Sequence, residues 1–434
     1  LTEVLDVFTI APNTLILQEN FAVITNEQVK WIVRKSGLPL SRFAARLGVE
    51  PSKIFRWESG LEVPSPPVEA KLRKLEIDFA TTTGAFVPFK IRQMHLKNRL
   101  VFPAMVTRFA DSTGIPSRRT LTHYFTIAGG GVGLLTLEAT SVNPNRRLPG
   151  GLGIWDAAQV KILASMVGLI HDAGAAVSIQ LADALRLTGK TPTSLTEEEI
   201  LQVIGDFVSG VVNVQNTGAD AAELHAAHSY TLADFLSRAG NKRTDQFGGD
   251  ARARARIVTE ILKRAKEKVK ESFVIGIRLN GEDFVAGGNT LKDTVELARC
   301  FEEVGFDFIH VSAGARREEG ENSYSMVRCE PPAEFPDACN MYLAETIKDS
   351  VEIPVIGCGK IPNTKVAEVQ LTERRADLIA IGRAILADPS LPIKEKMGKF
   401  DEVIRCTYCN HCLRCIRSNQ PAECPLWSEK TPPK

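Results

Sequence analysis

Between Arg99 and Ala384 the chain repeats one unit eight times: a short apolar run, a loop, and a helical stretch. The runs are RLVFPAM (99–105), GLLTLEA (133–139), AVSIQLA (176–182), AAELHAA (221–227), FVIGIRLN (273–280), FIHVSAG (308–314), PVIGCG (354–359) and LIAIGRA (378–384). Several of the helical stretches stop at a glycine just before the next run, as in GLIHDAGAAVSI, VVNVQNTGADAAEL and CFEEVGFDFIHV. Glycine adopts the left-handed conformation that ends a helix without steric cost. Continuously apolar strands alternating with helices belong to a parallel sheet covered on both faces, and eight of them close on themselves. The expected fold class is therefore α/β, a (β/α)8 TIM barrel, with chemistry on the loops that follow the strands.

At their carboxyl ends these runs present Met105, Val106, Thr107 and Arg108, then Glu138, Gln180, His225 with His228 and Tyr230, Arg278, His310, Gly357 with Gly359, and Gly382 with Arg383. Amides beside Gly357, Gly359 and Gly382, together with Arg383, form a phosphate cradle of the kind barrels build after their last two strands. Gln180 and Arg278 suit hydrogen bonding to a heterocycle, and a cationic arginine there favours a reduced, anionic ring. The His225 and His228 pair suits an anionic oxygen or a carbonyl, with the Tyr230 phenol as proton donor. Taken singly, a histidine at a strand end is more often structural, and glycine pairs more often serve turns. Their coincidence at one end of successive strands is what argues for a site.

Lysine and arginine total 53 against 52 acidic residues, so no overall field draws the chain to nucleic acid or to an anionic membrane. No apolar run approaches the roughly 18 residues of a membrane span, and the opening LTEVLDVFT lacks a basic stretch followed by an apolar one. A cytoplasmic protein is expected, with the segment upstream of Leu1 left open. Residues 1–24 alternate apolar and polar side chains and read as short strands. Residues 25–76 turn helical in QVKWIVRKSG, SRFAARLG and PSKIFRWESG, closed by Gly37, Gly48 and Gly60. This segment resembles the helix-turn-helix of the Cro/repressor family, including the Trp57-Glu58-x-Gly60 ending. The resemblance implies a helix entering the DNA major groove with Lys53 and Arg56 near bases or phosphates. Its basic excess is small, so a docking or dimerisation module is an equal alternative. Residues 77–90 read as a linker and 91–405 as the barrel.

Nine cysteines occur, none of them in the first 299 residues, and an odd number so distributed is no disulfide framework. Four fall at every third position in CTYCNHCLRC, Cys406 to Cys415. Such spacing points to iron–sulfur or metal ligation by segment 406–434. A structural zinc site, which His411 could join, is the competing reading.

The stretches KNRLVFPAM, YFTIAGGGVGLLTLEAT, GADAAELHAAHSYTLADFLSRAGNKRTDQFGGDARARAR, IHVSAG, PVIGCGKI and ADLIAIGRAILADPSLP occur in an order that resembles the old yellow enzyme family of flavin mononucleotide (FMN) oxidoreductases. The resemblance implies that Gln180 and Arg278 contact the isoalloxazine pyrimidine and that Gly359, Gly382 and Arg383 hold the phosphate. It implies that His225 and His228 bind the substrate's electron-withdrawing oxygen. Tyr230 would protonate the α-carbon after hydride reaches the β-carbon from flavin N5. Met105 and Val106 would adjoin the ring, although the family usually has threonine or cysteine at Val106, leaving Thr107 as a substitute donor. The family's Q-L-x-H-x-G-R reads QLADALR, with Asp183 and Leu185 in place of histidine and glycine, and the loop from Leu187 to Leu195 is short.

One branch of the family, resembling 2,4-dienoyl-CoA reductase and trimethylamine dehydrogenase, carries a [4Fe-4S] cluster after the barrel on C-x2-C-x3-C-x11-C. Here Cys406, Cys409, Cys412 and Cys424 follow that order with one residue fewer, and Cys415 competes for a place. No G-x-G-x-x-G follows a strand. The resemblance therefore implies an ene-reductase-like enzyme, a homo-oligomer, whose electrons come through the cluster from a protein partner, with NAD(P)H as direct or indirect donor. A redox-responsive transcription regulator and a non-catalytic electron-transfer subunit are the alternatives.

Overall fold

A computed structural model describes residues 23–36, 40–82, 84–315 and 324–429. The chain divides into two compact units, residues 1–81 and 82–434. The first contains helices α1 Asn26–Ser36, α2 Leu40–Leu47, α3 Pro51–Glu58 and α4 Pro66–Thr82. Its own small core joins Ile24, Ile32, Phe43, Leu47, Ile54, Trp57 and Leu72. Ile54 and Trp57 turn inward from α3, which leaves Phe55 outward and 61% exposed. Lys53 and Arg56, also on α3, both ion-pair with Glu62. The strands expected in 1–24 lie, apart from Val23 and Ile24, outside the described residues. The expected linker, 77–90, carries the end of α4 at one side and a strand at the other.

The second unit opens with an antiparallel hairpin, β1 Phe89–Ile91 and β2 Met94–Leu96. Eight parallel strands follow: β3 Leu100–Phe102, β4 Leu134–Ser141, β5 Ala176–Ala182, β6 Ala221–Ala226, β7 Val274–Asn280, β8 Phe308–Ser312, β9 Val355–Gly357 and β10 Leu378–Ala380. They pair in sequence, and β10 returns to β3 through Ile379 opposite Leu100 and Ala380 opposite Val101, which closes the barrel. All eight sequence candidates are strands, so the (β/α)8 expectation holds. The glycine stops that the sequence foresaw are present, and the structure adds the caps at the other ends. Asp156, Thr196 and Thr290 cap their helices by accepting backbone N–H bonds, and Gly174, Gly218 and Gly305 stop helices at positive φ.

Two apolar cores result. The larger lies between the barrel and its helices. The smaller fills the barrel interior at the amino ends of the strands, where Leu134, Ala221, Val274, Phe308 and Leu378 meet Ile91, Met94 and Leu96 of the hairpin. The hairpin thus plugs one end, and only the carboxyl end is left to hold a ligand. Among the described residues no helix is long and apolar enough to cross a membrane.

Gly276 shows how tightly the interior is filled, since a Cβ there would lie 2.1 Å from Phe308 Cζ. Gly276→Ala must displace a ring with no exposed surface, and it is expected to cost about 1–3 kcal/mol. The check is urea unfolding, where the midpoint falls at an unchanged slope.

Candidate functional site

A cavity of about 570 Å³ opens at the carboxyl ends of the barrel strands. Met105, Val106, Gln180, His225, His228, Tyr230, Arg278, Gly359, Gly382 and Arg383 line it, from both ends of the chain's barrel segment. Glu138, Gly357 and His310, expected at the same strand ends, do not. Glu138 is fully buried behind the wall, where its carboxylate accepts Thr107 N–H and Thr107 Oγ1–H at 2.6 Å each. Burial pushes this carboxyl up to about 7 although the Thr107 bonds oppose the shift. The Thr107 hydroxyl is thereby committed to Glu138 and is not the substitute donor that the valine at 106 called for. Gly357 is the last residue of β9, and its open side is filled by Met341, whose Cε would lie 2.5 Å from a Cβ. Its lack of a side chain makes room for Met341.

At one side of the cavity β6 delivers His225, and the loop after it delivers His228 and Tyr230. The ring centroids of His225 lie 5.2 Å from His228 and 4.5 Å from Tyr230. Bringing the second histidine back to the first needs a sharp turn, which His228 and Ser229 make at φ 59 and 56. Left-handed backbone is uncommon for such residues and costs of order 1 kcal/mol or more each. The turn is held by His228 N–H donating to Asn280 Oδ1 at 3.2 Å and by the His228 Nε2 to Ser312 Oγ contact of 2.8 Å. Arg186 stands over the Tyr230 ring at 4.9 Å and donates to Ser229 O at 3.2 Å. Asp183, which stands where the family has histidine, points away from this group. It is enclosed and binds Arg146 Nε and Thr231 Oγ1 at 2.5 Å each, so it serves the loop and not the cavity.

Beneath the middle of the cavity runs a buried polar chain. Gln180 Nε2 donates to Glu223 Oε1 at 2.6 Å, and Glu223 Oε2 meets His310 Nδ1 at 2.9 Å. Burial would raise the Glu223 carboxyl, but His310 and Arg278 hold it below its ordinary value; burial would lower the His310 imidazole, yet Glu223 keeps it raised. The pair lies at zero exposure, where each partner favours the charged form of the other against the cost of burial. Arg278, between His225 and His310 in register, donates weakly to Ala104 O and Ser312 Oγ, and its Nε, though buried, has no partner. An orphaned guanidinium N–H at the wall of a cavity suits an acceptor edge of a planar ring. At the far side Gly359 has φ 133, and a Cβ there would lie 2.6 Å from that of Asn340. Gly359, Gly382 and the Arg383 guanidinium together leave room and positive charge for a phosphate, so the residues present fit FMN.

Arg383 is also a shared wall. It donates to Asn410 Oδ1 at 2.5 Å and lies over the Tyr408 ring at 4.7 Å. With Leu386 and Cys412 it lines both the large cavity and a small one bounded by Cys406, Cys409, Cys412 and Cys424. Tyr408 and Asn410, at φ 55 and 57, coil the CTYCNHC segment so that these thiols face one space, and Tyr408 N–H donates to Cys406 Sγ at 3.4 Å. Cys415 is not among them; its Sγ lies 3.5 Å from His411 Nε2. Among the described residues no three His, Cys, Asp or Glu side chains are grouped to hold a single metal ion. Four thiols thus line one small space, and one of the sulfurs accepts a backbone N–H.

Sequence reasoning did not single out Ser312, Arg186 or Cys358 as site residues. Ser312 lies two residues beyond His310 in its run, and Cys358 lies between the chosen Gly357 and Gly359. Arg186 lies within the departing QLADALR stretch.

The sequence profile of the NADH:flavin oxidoreductase / NADH oxidase family matches residues 85–190 and 184–402, that is, the barrel with its hairpin. An NADH oxidase of Thermoanaerobacter brockii is 34% identical over 350 residues, 75% of this chain and 52% of that protein. An NADPH dehydrogenase of Clostridium acetobutylicum is 32% identical over 324 residues, 70% of this chain and 92% of that protein. Among solved structures, a 2-naphthoyl-CoA reductase in complex with 2-naphthoyl-CoA superposes with a TM-score of 0.73 at 25% identity, over 80% of this chain and 57% of that one. The chain therefore spans about half the length of the first and last of these. A closed eight-stranded barrel, a polar cavity at its carboxyl end and a profile match over most of the chain agree: this chain belongs to the NADH:flavin oxidoreductase / NADH oxidase family, the old yellow enzyme type of oxidoreductase.

Proposed function

We propose that the chain is an FMN- and [4Fe-4S]-dependent oxidoreductase that reduces a C=C bond next to an electron-withdrawing oxygen. The observation that carries the reading is the meeting of His225, His228, Tyr230 and Arg278 in one cavity whose opposite side is Gly359, Gly382 and Arg383. When bound, FMN supplies a hydride to the substrate β-carbon, and a four-iron cluster passes single electrons to or from it. His225 and His228 hold the substrate oxygen and stabilise the negative charge that grows there, an interaction stronger in the transition state than in the ground state. Tyr230 hands its phenol proton to the α-carbon. Ser312 keeps the His228 ring in place through Nε2, and Arg186 steadies the tyrosine ring.

Cys406, Cys409, Cys412 and Cys424 are the proposed cluster ligands, supported by their shared cavity and by its common wall with the larger one. A cluster held by these four thiols would supply single-electron transfer, for which a protein donor would be the source. The names of the relatives, an NADH oxidase and an NADPH dehydrogenase, support NAD(P)H as the direct or indirect source. The regulator alternative is less well supported, because the α3 cations meant for DNA, Lys53 and Arg56, are engaged by Glu62. Salt-dependent, sequence-selective binding of duplex DNA would bring it forward.

Anaerobic purification should yield flavin absorbance with about four irons and four acid-labile sulfides per chain. Zinc without sulfide would remove the cluster and the protein-donor route with it. Cys409→Ala should lose iron and sulfide while keeping flavin. Tyr230→Phe should lower substrate reduction by about 10²–10⁴-fold with flavin content unchanged. Undiminished turnover in that variant would remove the phenol from the mechanism.

A further inference from the structure

Tyr230 follows directly on the two left-handed residues His228 and Ser229 and stands immediately before a short helix, Thr231–Leu236. A turn of that kind is costly by itself, and if it relaxed the phenol would leave the two histidines. On its far side the turn is anchored by Thr231, which is 2% exposed. Thr231 N–H donates to Asp183 O at 3.0 Å. Its hydroxyl proton is shared between the same carbonyl, at 2.8 Å, and Asp183 Oδ1, at 2.5 Å. The hydroxyl oxygen in turn accepts Leu185 N–H at 2.9 Å. The amide and the hydroxyl of this buried threonine are thus both committed to residues 183–185, the loop after β5.

Asp183 is itself held from a third loop. Its Oδ2 accepts Arg146 Nε–H at 2.5 Å, and Ala184 N–H donates to Arg146 O at 3.0 Å. Arg146 also pairs with Asp206 of the helix Glu197–Asn216, and Asp206 Oδ2 accepts Asn143 Nδ2–H at 2.8 Å. The loops after β4, β5 and β6 are thereby joined in one polar strap, and a satisfied network of this kind stiffens the backbone that it joins. Ala182 and Ala184, the two neighbours of Asp183, share a small apolar cluster with Ala139 and Tyr230. One stretch of chain therefore fixes the tyrosine twice, its backbone through Thr231 and its ring through the alanines.

We propose that Asp183 and Thr231 are positioning residues for the proton donor, holding the Tyr230 backbone so that its phenol stays beside His225. The inference rests on the reading of Tyr230 as that donor. Neither side chain touches substrate; both act through residue 230. It also gives a task to the aspartate that stands where the family has histidine: its carboxylate ties the Tyr230 turn to Arg146, with one oxygen turned to each. A displacement of about 1 Å is enough to cost about 10²-fold in a step that depends on orientation.

The test uses the holoenzyme, its flavin reduced with dithionite under argon and then reoxidised in a stopped-flow instrument by 2-cyclohexenone or trans-cinnamaldehyde. Thr231→Val is expected to slow this reoxidation by about 10–10²-fold and to enlarge its solvent deuterium isotope effect, with flavin content unchanged. Thr231→Ser, which keeps the hydroxyl, should restore the rate. In a Tyr230→Phe background Thr231→Val should cost less than about two-fold, because the phenol on which it acts is gone. Amide exchange in the peptide 228–236 should be faster in Thr231→Val whether or not flavin is bound. Asp183→Ala carries the same comparison should Thr231→Val fold poorly. Reoxidation by neither probe, or an undiminished rate in Tyr230→Phe, removes the donor reading and this inference with it. A diminished rate in Tyr230→Phe, with Thr231→Val harmless or equally costly in both backgrounds, overturns the positioning role and leaves the donor standing.

Discussion

Everything in the second unit depends on the pairing of β10 with β3. Those two short strands, joined at Ile379 and Ala380, turn an open sheet into a closed one and leave no edge. Closure also brings residues far apart in the chain to one rim. Met105 leaves β3, Arg383 follows β10, and the two meet across the site because their strands are neighbours. A sheet that stayed open there would set the phosphate side of the cavity apart from the side that follows β3.

The amino and carboxyl ends of this barrel have opposite chemistry. One is packed with apolar side chains and sealed by a hairpin; the other carries a buried ion pair, an orphaned guanidinium and several non-glycine residues in left-handed backbone. Arg108, His228, Ser229, Lys360 and Tyr408 all adopt that conformation and all lie at or beside the cavity. Strain gathered at one rim while the apolar cores are tightly filled is the pattern of a site held in place by the rest of the fold.

How much of this was legible in the sequence follows from the kind of information each feature needs. The eight strands were readable because both faces of each are covered, so apolar runs are unbroken, and glycine marks the helix ends. His225, His228 and Tyr230 were readable because they sit within six residues of one another. Glu138 was misread for the same reason that its strand was easy to find: all eight residues of β4 are buried, and no alternation tells which side faces the ligand. At Gly357 the sequence cannot distinguish a glycine that admits Met341 from one that admits a phosphate. The Gln180, Glu223 and His310 chain was out of reach, since it depends on how β5, β6 and β8 are set beside one another, which local patterns do not encode.

The hairpin seal has a consequence for how such a chain diverges. Because the apolar packing inside the barrel lies at the sealed end and the larger core lies outside it against the helices, substitutions in the loops at the other end disturb few of the contacts that hold the barrel shut. Asp183, which replaces the histidine usual at its position with an internal ion pair, is a substitution of this sort. A lineage built on this plan is free to exchange substrates, electron donors and appended segments while inheriting the same scaffold, which leaves the rim as the place where its members differ.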